Sequence, residues 1–379
     1  MPLYYDDDQT MLAETASQFM AEEGSIKNQM RHWRDRNCKD GFGHGLWKQF
    51  AEMGFTGMLV GEDDGGLGMG QVEANIVLEE IGRNLTPSPF LSSSVLAATA
   101  LKHGSNDVKG RWLPDLIAGE KVYAVAVDEG RKHRPERIAC KAEKSGNGFR
   151  LSGKKDFVVY GASSEMIVVA ARTSGSDSDA DGVTLFAVPQ GAAGMSHDSV
   201  RLVDSSMASH VTFDGVELDG DAVIGDVDGG RDVLNAMLMA GRVGSAAEGV
   251  GVARGAMDMT VDYLRQRKQF GKVIGEFQAL QHRASHLYSE VEIARAVTIK
   301  AAQLLDVGSE KADLMASVAK AKVAKVAGLA VREGVQMHGG IGMTDEYDIG
   351  LYMKRDRALQ EFLGDQYYHA GRVAEMSGY

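Results

Sequence analysis

The chain of 379 residues is long enough to form two or three hydrophobic cores, and 44% of its residues are hydrophobic and 25% charged. These proportions are ordinary for globular proteins and exclude a mainly disordered chain. The formal net charge of −12 argues against nucleic acid or an anionic membrane as a partner, because such phosphate-rich partners require a basic surface. An anionic ligand would therefore need a local basic pocket.

The cysteines and the N-terminus bear on the cellular compartment. Cys38 and Cys140 are far apart and have no second cysteine or histidine at metal-ligand spacing, which predicts neither a disulfide framework nor a metal site. The N-terminal sequence MPLYYDDDQT lacks the basic and apolar regions of a secretion signal. No apolar run reaches the roughly 18 residues of a membrane span. We therefore expect a cytoplasmic protein that is not inserted in a membrane.

Hydrophobic periodicity predicts a helical region followed by a β-region. From Gln9 to about Gly119, apolar residues recur at helical spacing around a glycine-dense loop at 61–70. From Lys121 to about Ile224, short β-branched runs alternate with turn residues, as is typical of a β-domain. The predicted strand segments are Phe149–Leu151, Phe157–Tyr160, Ile167–Ala171, Val183–Val188 and Val211–Phe213.

The region after Gly229-Gly230 returns to helical periodicity. The predicted helices run from Arg242 to Gln266, through Leu280 and Ala294, and from Ala312 to about Met337. The expected fold class is therefore α+β and mostly helical. The expected domains are an N-terminal helical domain (1–121), a central β-barrel or sandwich (122–225) and a C-terminal four-helix bundle (226–379).

Two segments come close to nucleotide-binding motifs, and both are interpreted otherwise. Gly148–Lys154 fits most of a phosphate-binding loop, but Lys155 replaces the metal-binding hydroxyl and no helix is predicted to follow. The stretch Ser145-Gly-Asn-Gly148 predicts a hairpin instead, because Asn-Gly readily takes the positive φ of a tight turn. Gly66–Gly70 lacks the spacing of a dinucleotide fingerprint and predicts a loop between helices.

The most informative stretches lie in the C-terminal region. Arg265 to Gly271 reads RQRKQFG and is followed by FQA from Phe277, and the stretch from Gln336 to Gly342 reads QMHGGIG. Glycines let a backbone approach a diphosphate closely, and an arginine can bind the same group bidentately. Together these residues predict an anion cradle.

In these motifs and in domain order, the chain resembles the acyl-CoA dehydrogenases along essentially its whole length. That family binds FAD, so the resemblance implies an FAD site that is shared between two chains. The positions implied to contact FAD of a neighbouring subunit are Arg267 at the diphosphate, Phe270 and Gln278 at the adenosine half, and Gln336, Gly339 and Gly340 across the interface. The resemblance also implies a dimer at least, with a dimer of dimers as the family norm.

The position of the catalytic base departs from the family pattern. A glutamate of the family removes an α-proton from an acyl-CoA thioester while the β-hydrogen passes as hydride to the flavin. That glutamate aligns with Leu363, and the base of a minority of members aligns with Gly241, so neither position can accept a proton. Glu248, about two turns after Gly241 on the same predicted helix face, is the candidate base. The competing interpretation is a buried structural acid paired with Arg242 or Arg254.

The β-domain also departs from the family pattern. The family segment that touches flavin and CoA corresponds to Val127–Arg134, which lacks the usual side-chain hydroxyls. The residues that cover the flavin ring correspond to Phe157, which retains an aromatic ring, and Val159, which cannot donate a hydrogen bond.

Two weaker candidates for the catalytic base lie in the C-terminal region. Glu361 and Asp365 flank Leu363, the position that aligns with the family's glutamate.

Basic residues provide the candidate contacts to substrate. The four titratable or cationic residues from Arg131 to Arg134 predict contact with CoA phosphates, and the alternative interpretation is a set of solvated loop charges. The candidate substrate-binding residues are His133, Arg134 and Arg242.

The resemblance implies an FAD-dependent acyl-CoA dehydrogenase that forms a trans-2-enoyl-CoA and passes electrons to an electron-transfer flavoprotein. Such an enzyme would act as a homodimer or homotetramer. The altered positions leave a second interpretation, a non-catalytic or cofactor-sharing subunit in a heterotetramer with a paralogous subunit, as in several bacterial members. A third interpretation is a flavin-binding relative with different chemistry.

Overall fold

The computed structural model describes residues 3–379, which divide into two compact units. The helical unit contains the described residues up to His32 together with Gln71–Pro87 and Arg242–Tyr379, and the sheet unit contains Trp33–Gly70 and Ser88–Gly241. The domain boundaries near residues 121 and 225 stay a prediction.

Helices occupy both ends of the described chain, and strands occupy its middle. The α-helices are α1 (Asp7–Glu22), α2 (His32–Asp35), α3 (His44–Glu52), α4 (Gln71–Asn84), α5 (Ala98–Leu101), α6 (Asn106–Ile117), α7 (Arg231–Gln266), α8 (Gln278–Asp306), α9 (Ala312–His338), α10 (Ile349–Glu361) and α11 (Gln366–Met376). The strands are β1 (Tyr123–Ala126), β2 (Lys141–Ser145), β3 (Gly148–Val159), β4 (Met166–Arg172), β5 (Val183–Pro189), β6 (Met195–Arg201), β7 (Met207–Leu218), β8 (Val223–Ile224), β9 (Lys268–Gln269) and β10 (Lys272–Val273). The expected fold class, mostly helical with a central β-region, is confirmed.

The central sheet is mixed. Its strands follow the order β6-β7-β3-β2-β4-β5-β8, and β1 pairs in parallel with β4. Inward-facing residues of different strands, among them Leu151, Ile167, Phe186 and Val211, form one hydrophobic core. The strands β4 and β5 are buried at nearly every position, which explains why they stand out in the sequence as continuous apolar runs.

The predicted hairpin joins β2 to β3, but its positive φ lies elsewhere than expected. Ser145 pairs with Gly148, and of the two loop residues only Gly146, at φ +56, has a positive value. This is the pattern of a type II′ turn, which requires glycine at the first central position, whereas Asn147 remains in the ordinary region.

The sheet departs from the predicted strand segments at several places, among them the strands β1 and β8, which were not predicted, and the two described next. Phe149–Leu151 and Phe157–Tyr160 belong largely to one long strand, β3, which is irregular between Lys155 and Val158. The strand β6 was missed because most of its residues are exposed and polar, so it lacks the apolar alternation of a strand with one buried face.

The helices α7, α8 and α9 form the core of the helical unit. Val250, Val291 and Val323 contribute one residue from each helix to a shared hydrophobic cluster. The helix α7 begins at Arg231, earlier than the predicted start at Arg242, because the intervening residues continue the apolar helical pattern. None of the helices within residues 3–379 combines the length and apolar character that crossing a membrane requires.

Glycines bring the backbones of α4 and α7 into direct contact. A Cβ at Gly82 on α4 would overlap the carbonyl oxygen of Glu248 on α7. In the reverse direction, a Cβ at Gly251 on α7 would overlap the carbonyl oxygen of Glu79 on α4. Since backbone atoms cannot move aside as a flexible side chain can, only glycine is compatible with this helix crossing.

We expect Gly251→Ala to lower the thermal unfolding midpoint by about 2–10 °C, because overpacking costs roughly 1–3 kcal/mol. Differential scanning fluorimetry measures the change. Gly371→Ala is the matched control, because Gly371 is an exposed residue of α11 whose Cβ would meet nothing within 4 Å. Equal midpoints for the two variants would contradict a backbone contact at Gly251.

Candidate active site

The two predicted cofactor motifs of the C-terminal region meet at one end of the helical unit. Tyr263, near the end of α7, stacks on His338 at the end of α9 with ring centroids 4.4 Å apart. Tyr347 also contacts the His338 ring, at 4.8 Å. Because Arg267 lies about one turn after Tyr263 and Gly339 directly follows His338, the arginine motif and the glycine motif lie at the same end of the helices.

The His338 ring is a fixed part of this end. Its Nδ1 lies 2.7 Å from the carbonyl oxygen of Gly334, so the Nδ1–H group donates to that oxygen. Burial lowers the pKa of His338, which favours the neutral ring at neutral pH. The ring therefore anchors the last turn of α9, directly before Gly339.

A two-residue hairpin exposes Phe270. Gln269 and Lys272 pair across β9 and β10, and φ is +54 at Phe270 and +79 at Gly271. Positive φ at both central residues is typical of a type I′ turn, which glycine adopts freely and phenylalanine only with strain. Phe270 is also 91% exposed. Its ring has an edge contact with Phe277, with ring centroids 6.2 Å apart, and its strain and exposure make it a candidate for contact with a ligand.

Gly339 and Gly340 face open space next to this hairpin motif. Gly339 has φ +64, and a Cβ on either glycine would meet nothing within 4 Å. Arg267, Gln278 and Gln336 are exposed. A guanidinium, side-chain amides and an unobstructed backbone are groups that bind phosphates. These residues fit the predicted FAD contacts as a surface that can receive a group from outside the chain.

The predicted flavin-covering residues lie at an irregular point of β3 in the sheet unit. The register against β7 shifts between Lys155 and Val158, so Asp156 and Phe157 form a bulge. Phe157 has φ +54. Bulges redirect side chains and are frequent beside active sites. Phe157 and Val159 are both partly exposed, as residues that cover a ligand must be.

The bulge is held next to the end of β1 by a buried lysine. Lys155 is 0% exposed and donates to the Val127 carbonyl at 3.0 Å and to the Glu129 carboxylate at 2.6 Å. The backbone N–H of Asp156 donates to the Asp128 carbonyl at 2.8 Å. The structure thus brings the predicted cofactor segment beginning at Val127 together with the bulge.

Sequence reasoning did not pair Lys155 with Glu129. The available signal was the strand alternation, since Leu151, Gly153 and Lys155 lie on the same side of β3 and Leu151 is buried. A lysine on the inward side of a strand requires a buried partner. Only the tertiary structure identifies Glu129 as that partner, because the two residues lie on separate segments.

His133 and Arg134 have different local environments. His133 is buried, and its Nδ1 lies 2.9 Å from the Asp128 carboxylate, which also accepts the backbone N–H of Arg134. The Arg134 side chain is exposed and lines a cavity. Their contact with substrate stays a prediction, in which His133 shapes the loop and Arg134 faces the ligand.

Glu248, the candidate base, is buried and ion-paired. It is 2% exposed, and its Oε1 accepts the Nε–H of Arg355 on α10 at 2.7 Å. The expected pairing of Glu248 with Arg242 or Arg254 is wrong. Those arginines form ion pairs with other carboxylates, and Glu248 forms its ion pair with Arg355. As a base, Glu248 would have to accept the proton beside the guanidinium of Arg355, with which its Oε1 is paired.

Arg242, a predicted substrate contact, is also buried. Its Nη1 lies 3.1 Å from the Asp313 carboxylate, to which Arg372 donates at 2.6 Å. Burial, together with the nearby charge of Arg372, lowers the pKa of Arg242. Its Nε has no hydrogen-bond partner among residues 3–379. Contact of Arg242 with substrate stays a prediction.

Leu363, at the usual position of the base, lies in a constrained turn. Leu363 has φ +60 and Gly364 has φ +100, and the Nε2 of His369 lies 2.9 Å from the Leu363 carbonyl oxygen. Asp365 accepts two backbone N–H groups at the start of α11, and Glu361 pairs with an arginine one turn earlier in α10. The two weaker base candidates thus have structural partners.

A fully buried lysine that sequence reasoning missed connects three helices. Lys320 on α9 donates to the Ser245 hydroxyl on α7 at 2.9 Å and to the Leu359 carbonyl on α10 at 2.6 Å. Burial lowers the pKa of Lys320 to about 8 and raises the pKa of nearby Asp356 to about 6. The signal for Lys320 was its helical spacing from the buried Ala316 on the apolar stripe of α9.

Family models match most of the chain. They are described as the N-terminal, middle and C-terminal domains of acyl-CoA dehydrogenase, and they match residues 6–120, 132–216 and 228–377. Acyl-CoA dehydrogenase FadE12 of Mycobacterium tuberculosis is 32% identical over 322 residues, which cover 82% of each chain. The chain belongs to the acyl-CoA dehydrogenase family. The resemblance inferred from the motifs is thereby confirmed, and the protein is an enzyme of an oxidoreductase family.

Solved structures of the acyl-CoA dehydrogenase fold superimpose on the whole chain. Butyryl-CoA dehydrogenase of Megasphaera elsdenii has a TM-score of 0.90 at 23% identity, with 100% of both chains covered. A chain of the ChsE4-ChsE5 complex from Mycobacterium tuberculosis has a TM-score of 0.89 at 25% identity, again with 100% of both chains covered. Both likenesses support the fold, and the second structure was solved as a complex of two differently named components.

We expect Lys320→Met to change how stability depends on pH. The pKa of Lys320 is lower in the folded state, about 8, than in the unfolded chain, about 10.5. Between these values the unfolded state binds more protons, so the wild-type protein gains stability with rising pH relative to the variant, by about 3 kcal/mol in total. Below pH 8 the difference in the free energy of unfolding between the wild-type protein and Lys320→Met stays constant.

Urea unfolding at several pH values between 7 and 10.5 measures this dependence. Lys325→Met is the control, because Lys325 is an exposed residue of the same helix. Parallel pH curves for the wild-type protein and Lys320→Met would contradict the lowered pKa of the buried lysine.

Proposed function

We propose that the protein is an FAD-dependent acyl-CoA dehydrogenase that converts an acyl-CoA thioester to a trans-2-enoyl-CoA and passes electrons to an electron-transfer flavoprotein. The proposal rests on one end of the helical unit, where the exposed guanidinium of Arg267, the exposed and strained ring of Phe270 and the backbone of Gly339 and Gly340 lie together. We call this region the open end. A homodimer or homotetramer would place this end against the cofactor of another chain. A cytoplasmic location is part of the same proposal.

Different residues of the open end would contact different parts of FAD. Arg267 would clamp the diphosphate, Phe270 would cover the adenosine half, and the amides of Gln278 and Gln336 would donate to it. Gly339 and Gly340 would let the backbone approach the diphosphate closely. When bound, FAD would supply the acceptor for the β-hydride. Phe157, redirected by its bulge, and the neighbouring Val159 would cover the flavin of the same chain, and Val127, which is only 6% exposed, would hold its segment beside them.

Glu248 is the proposed base if the chain acts without a different partner subunit. A carboxylate accepts an α-proton only when an oxygen lone pair is available to it. Arg355 donates to Oε1 of Glu248, so the proposed proton acceptor is the other carboxylate oxygen, Oε2. Arg242, with its unpaired Nε, would contact the substrate in the same unit.

A second candidate function is a cofactor-sharing subunit of a heterotetramer. The resemblance implies that Leu363 stands at the position of the base, and two observations agree with this candidate: the Leu363 turn is fixed by His369, and Glu248 is already ion-paired with Arg355. In this arrangement the open end of the helical unit would still contact FAD, and a paralogous chain would supply the base. The ChsE4-ChsE5 complex, a structural relative, was solved as a complex of two differently named components.

A visible spectrum separates these candidates. The chain is purified alone, its absorbance near the flavin maximum is recorded, and acyl-CoA thioesters of increasing chain length are added without oxygen. Bleaching of a yellow protein supports the one-chain enzyme. A colourless chain that gains flavin and activity only with a co-expressed paralogue supports the subunit, and a yellow protein inert to every thioester supports a different flavin chemistry.

We expect Arg267→Gln to weaken FAD binding by about 10–100-fold, because a charge-assisted contact to the diphosphate is lost. The flavin content per chain after gel filtration at low protein concentration measures the effect. Arg265→Gln is the control, because Arg265 is exposed and forms a loose ion pair with Asp262 at 3.9 Å at the same helix end. Equal flavin content in the two variants would contradict a contact between Arg267 and the cofactor.

We expect Glu248→Gln to slow flavin reduction by about 10²–10⁴-fold in the one-chain enzyme, because glutamine cannot accept the α-proton. Stopped-flow reduction with a saturating thioester measures the rate. Arg355→Gln breaks the same ion pair but keeps the carboxylate, so it should lose similar stability and retain reduction. An unchanged rate in Glu248→Gln would assign Glu248 to the ion pair alone and support the second candidate.

A further inference from the structure

We propose that Arg31 positions the open end of the helical unit and thereby sets how tightly FAD is held there. This role rests on the proposed function, because the open end is a cofactor site only if FAD binds to it. Arg31 lies at the end of a helical turn, Ile26–Arg31, and its side chain contacts residues 345–348, directly before α10. The two segments are about as far apart in the sequence as the chain allows, since 317 positions separate Arg31 from Asp348.

The guanidinium of Arg31 uses all three of its nitrogens on this segment. Nε donates to the Asp348 carboxylate at 2.7 Å, and Nη1 donates to the Asp345 carboxylate at 3.2 Å. Nη2 donates to the backbone carbonyl of Asp345 at 2.7 Å and lies 2.5 Å from the Asp348 carboxylate. Because a planar guanidinium holds several acceptors in one fixed arrangement, Arg31 fixes the backbone of residues 345–348 as well as their side chains.

Asp348 bonds to Arg31 in place of capping a helix. It is the N-cap residue of α10, and an aspartate at that position ordinarily accepts a backbone N–H of the first helical turn. Within residues 3–379 its side chain makes no such capping bond, and its carboxylate accepts from Arg31 instead. The aspartate therefore joins two distant segments rather than stabilising the start of α10.

The turn that carries Arg31 is itself fixed in the core of the helical unit. Met30 is buried and belongs to a hydrophobic cluster that includes Val331 of α9 and Ile349 of α10. Tyr347 packs against the same cluster. Since Met30 directly precedes Arg31, the guanidinium extends from a backbone that is already ordered, so its contacts cost less conformational entropy than those of an exposed ion pair.

Tyr347 connects the segment 345–348 to both cofactor motifs. Its ring contacts the rings of His338 and Tyr263, with centroids 4.8 Å and 5.8 Å apart. His338 directly precedes the two glycines of the open end, and the Tyr263 carbonyl accepts the backbone N–H of Arg267 at 2.9 Å. A shift of residues 345–348 would therefore move a ring that packs against the ends of α7 and α9, where the two motifs begin.

The competing interpretation of Arg31 is an ion pair that only stabilises the fold. Such a pair requires neither a bond to a backbone carbonyl nor an aromatic residue that joins its partner segment to a ligand site, and Arg31 has both. A group that holds the residues behind a binding site in place affects affinity without touching the ligand. Arg31 is therefore a positioning residue, and its removal should loosen the open end while the protein stays folded.

Hydrogen–deuterium exchange of the full-length protein tests the positioning. Excess FAD is present in all samples, so that the variants are compared at equal occupancy. We expect Arg31→Gln to raise the amide exchange rate of residues 339–348 severalfold and to leave the exchange of α11 unchanged, because the freed segment opens locally. Asp348→Asn should have a smaller effect in the same residues, because the contacts of Arg31 with Asp345 remain.

Lys322→Gln is the matched control. Lys322 of α9 pairs with Glu290 of α8 at 2.6 Å in the same unit, and the members of this pair are about as exposed as Arg31 and Asp348. Lys322→Gln should leave the exchange of residues 339–348 as it is in the wild-type protein. Similar thermal midpoints for Arg31→Gln and Lys322→Gln would exclude a general loss of stability as the cause of faster exchange.

Titration of the same proteins with FAD, followed by flavin fluorescence, tests the consequence for the cofactor. We expect Arg31→Gln to raise the Kd for FAD about tenfold, as the loss of a charge-assisted contact would, and Lys322→Gln to bind FAD as the wild-type protein does. If the wild-type protein binds FAD, an equal Kd in Arg31→Gln overturns the inference and leaves the proposed function intact.

Failure of the proposed function has a different result. A wild-type chain that binds no FAD contradicts the dehydrogenase proposal, and faster exchange of residues 339–348 in Arg31→Gln would then still support the positioning of the open end. Unchanged exchange in both Arg31→Gln and Asp348→Asn overturns that positioning, whether or not the chain binds FAD.

Discussion

The backbone contact between α4 and α7 is the constraint on which much of the helical unit depends. Gly82 rests on the Glu248 carbonyl and Gly251 on the Glu79 carbonyl, so both helices are held closer than any side chain would allow. Two acids, Glu79 and Glu248, are thereby placed in the interior, where an unpaired charge would be costly. The arginines of neighbouring helices must therefore meet them, as Arg355 does at Glu248.

Buried charge links this packing to the candidate catalytic positions. Lys320 joins α7 and α10 through Ser245 and the Leu359 carbonyl, and Arg355 joins the same helices through Glu248. Both contacts fix α10 just before the turn at Leu363. Removing one member of such a network leaves its partner unpaired, which costs more than the pair contributes. The turn that carries the base in the wider family is here held by structural interactions and carries an apolar side chain.

The candidate ligand contacts lie where the backbone departs from regular geometry. Phe157 and Phe270 both have positive φ, one in a bulge of β3 and the other in a tight hairpin. Such conformations persist only where the surroundings enforce them, and they are concentrated at functional sites. The buried Lys155 fixes the bulge of β3, because it bonds to the Val127 carbonyl and the Glu129 carboxylate after β1.

The sequence by itself determined the order of helical and β-regions, because hydrophobic periodicity depends on neighbouring residues. It also determined the family and the open-end motifs, because RQRKQFG and QMHGGIG combine residues with specific local geometry. It did not determine the partners of buried charges: Glu248 with Arg355 and Lys155 with Glu129 join segments that only the fold brings together. It likewise missed β6, whose pairing with β7 leaves little trace in an exposed, polar sequence. Secondary structure and short motifs depend on residues close together in the sequence. Which of several arginines pairs with a given carboxylate depends on distances that only tertiary packing sets.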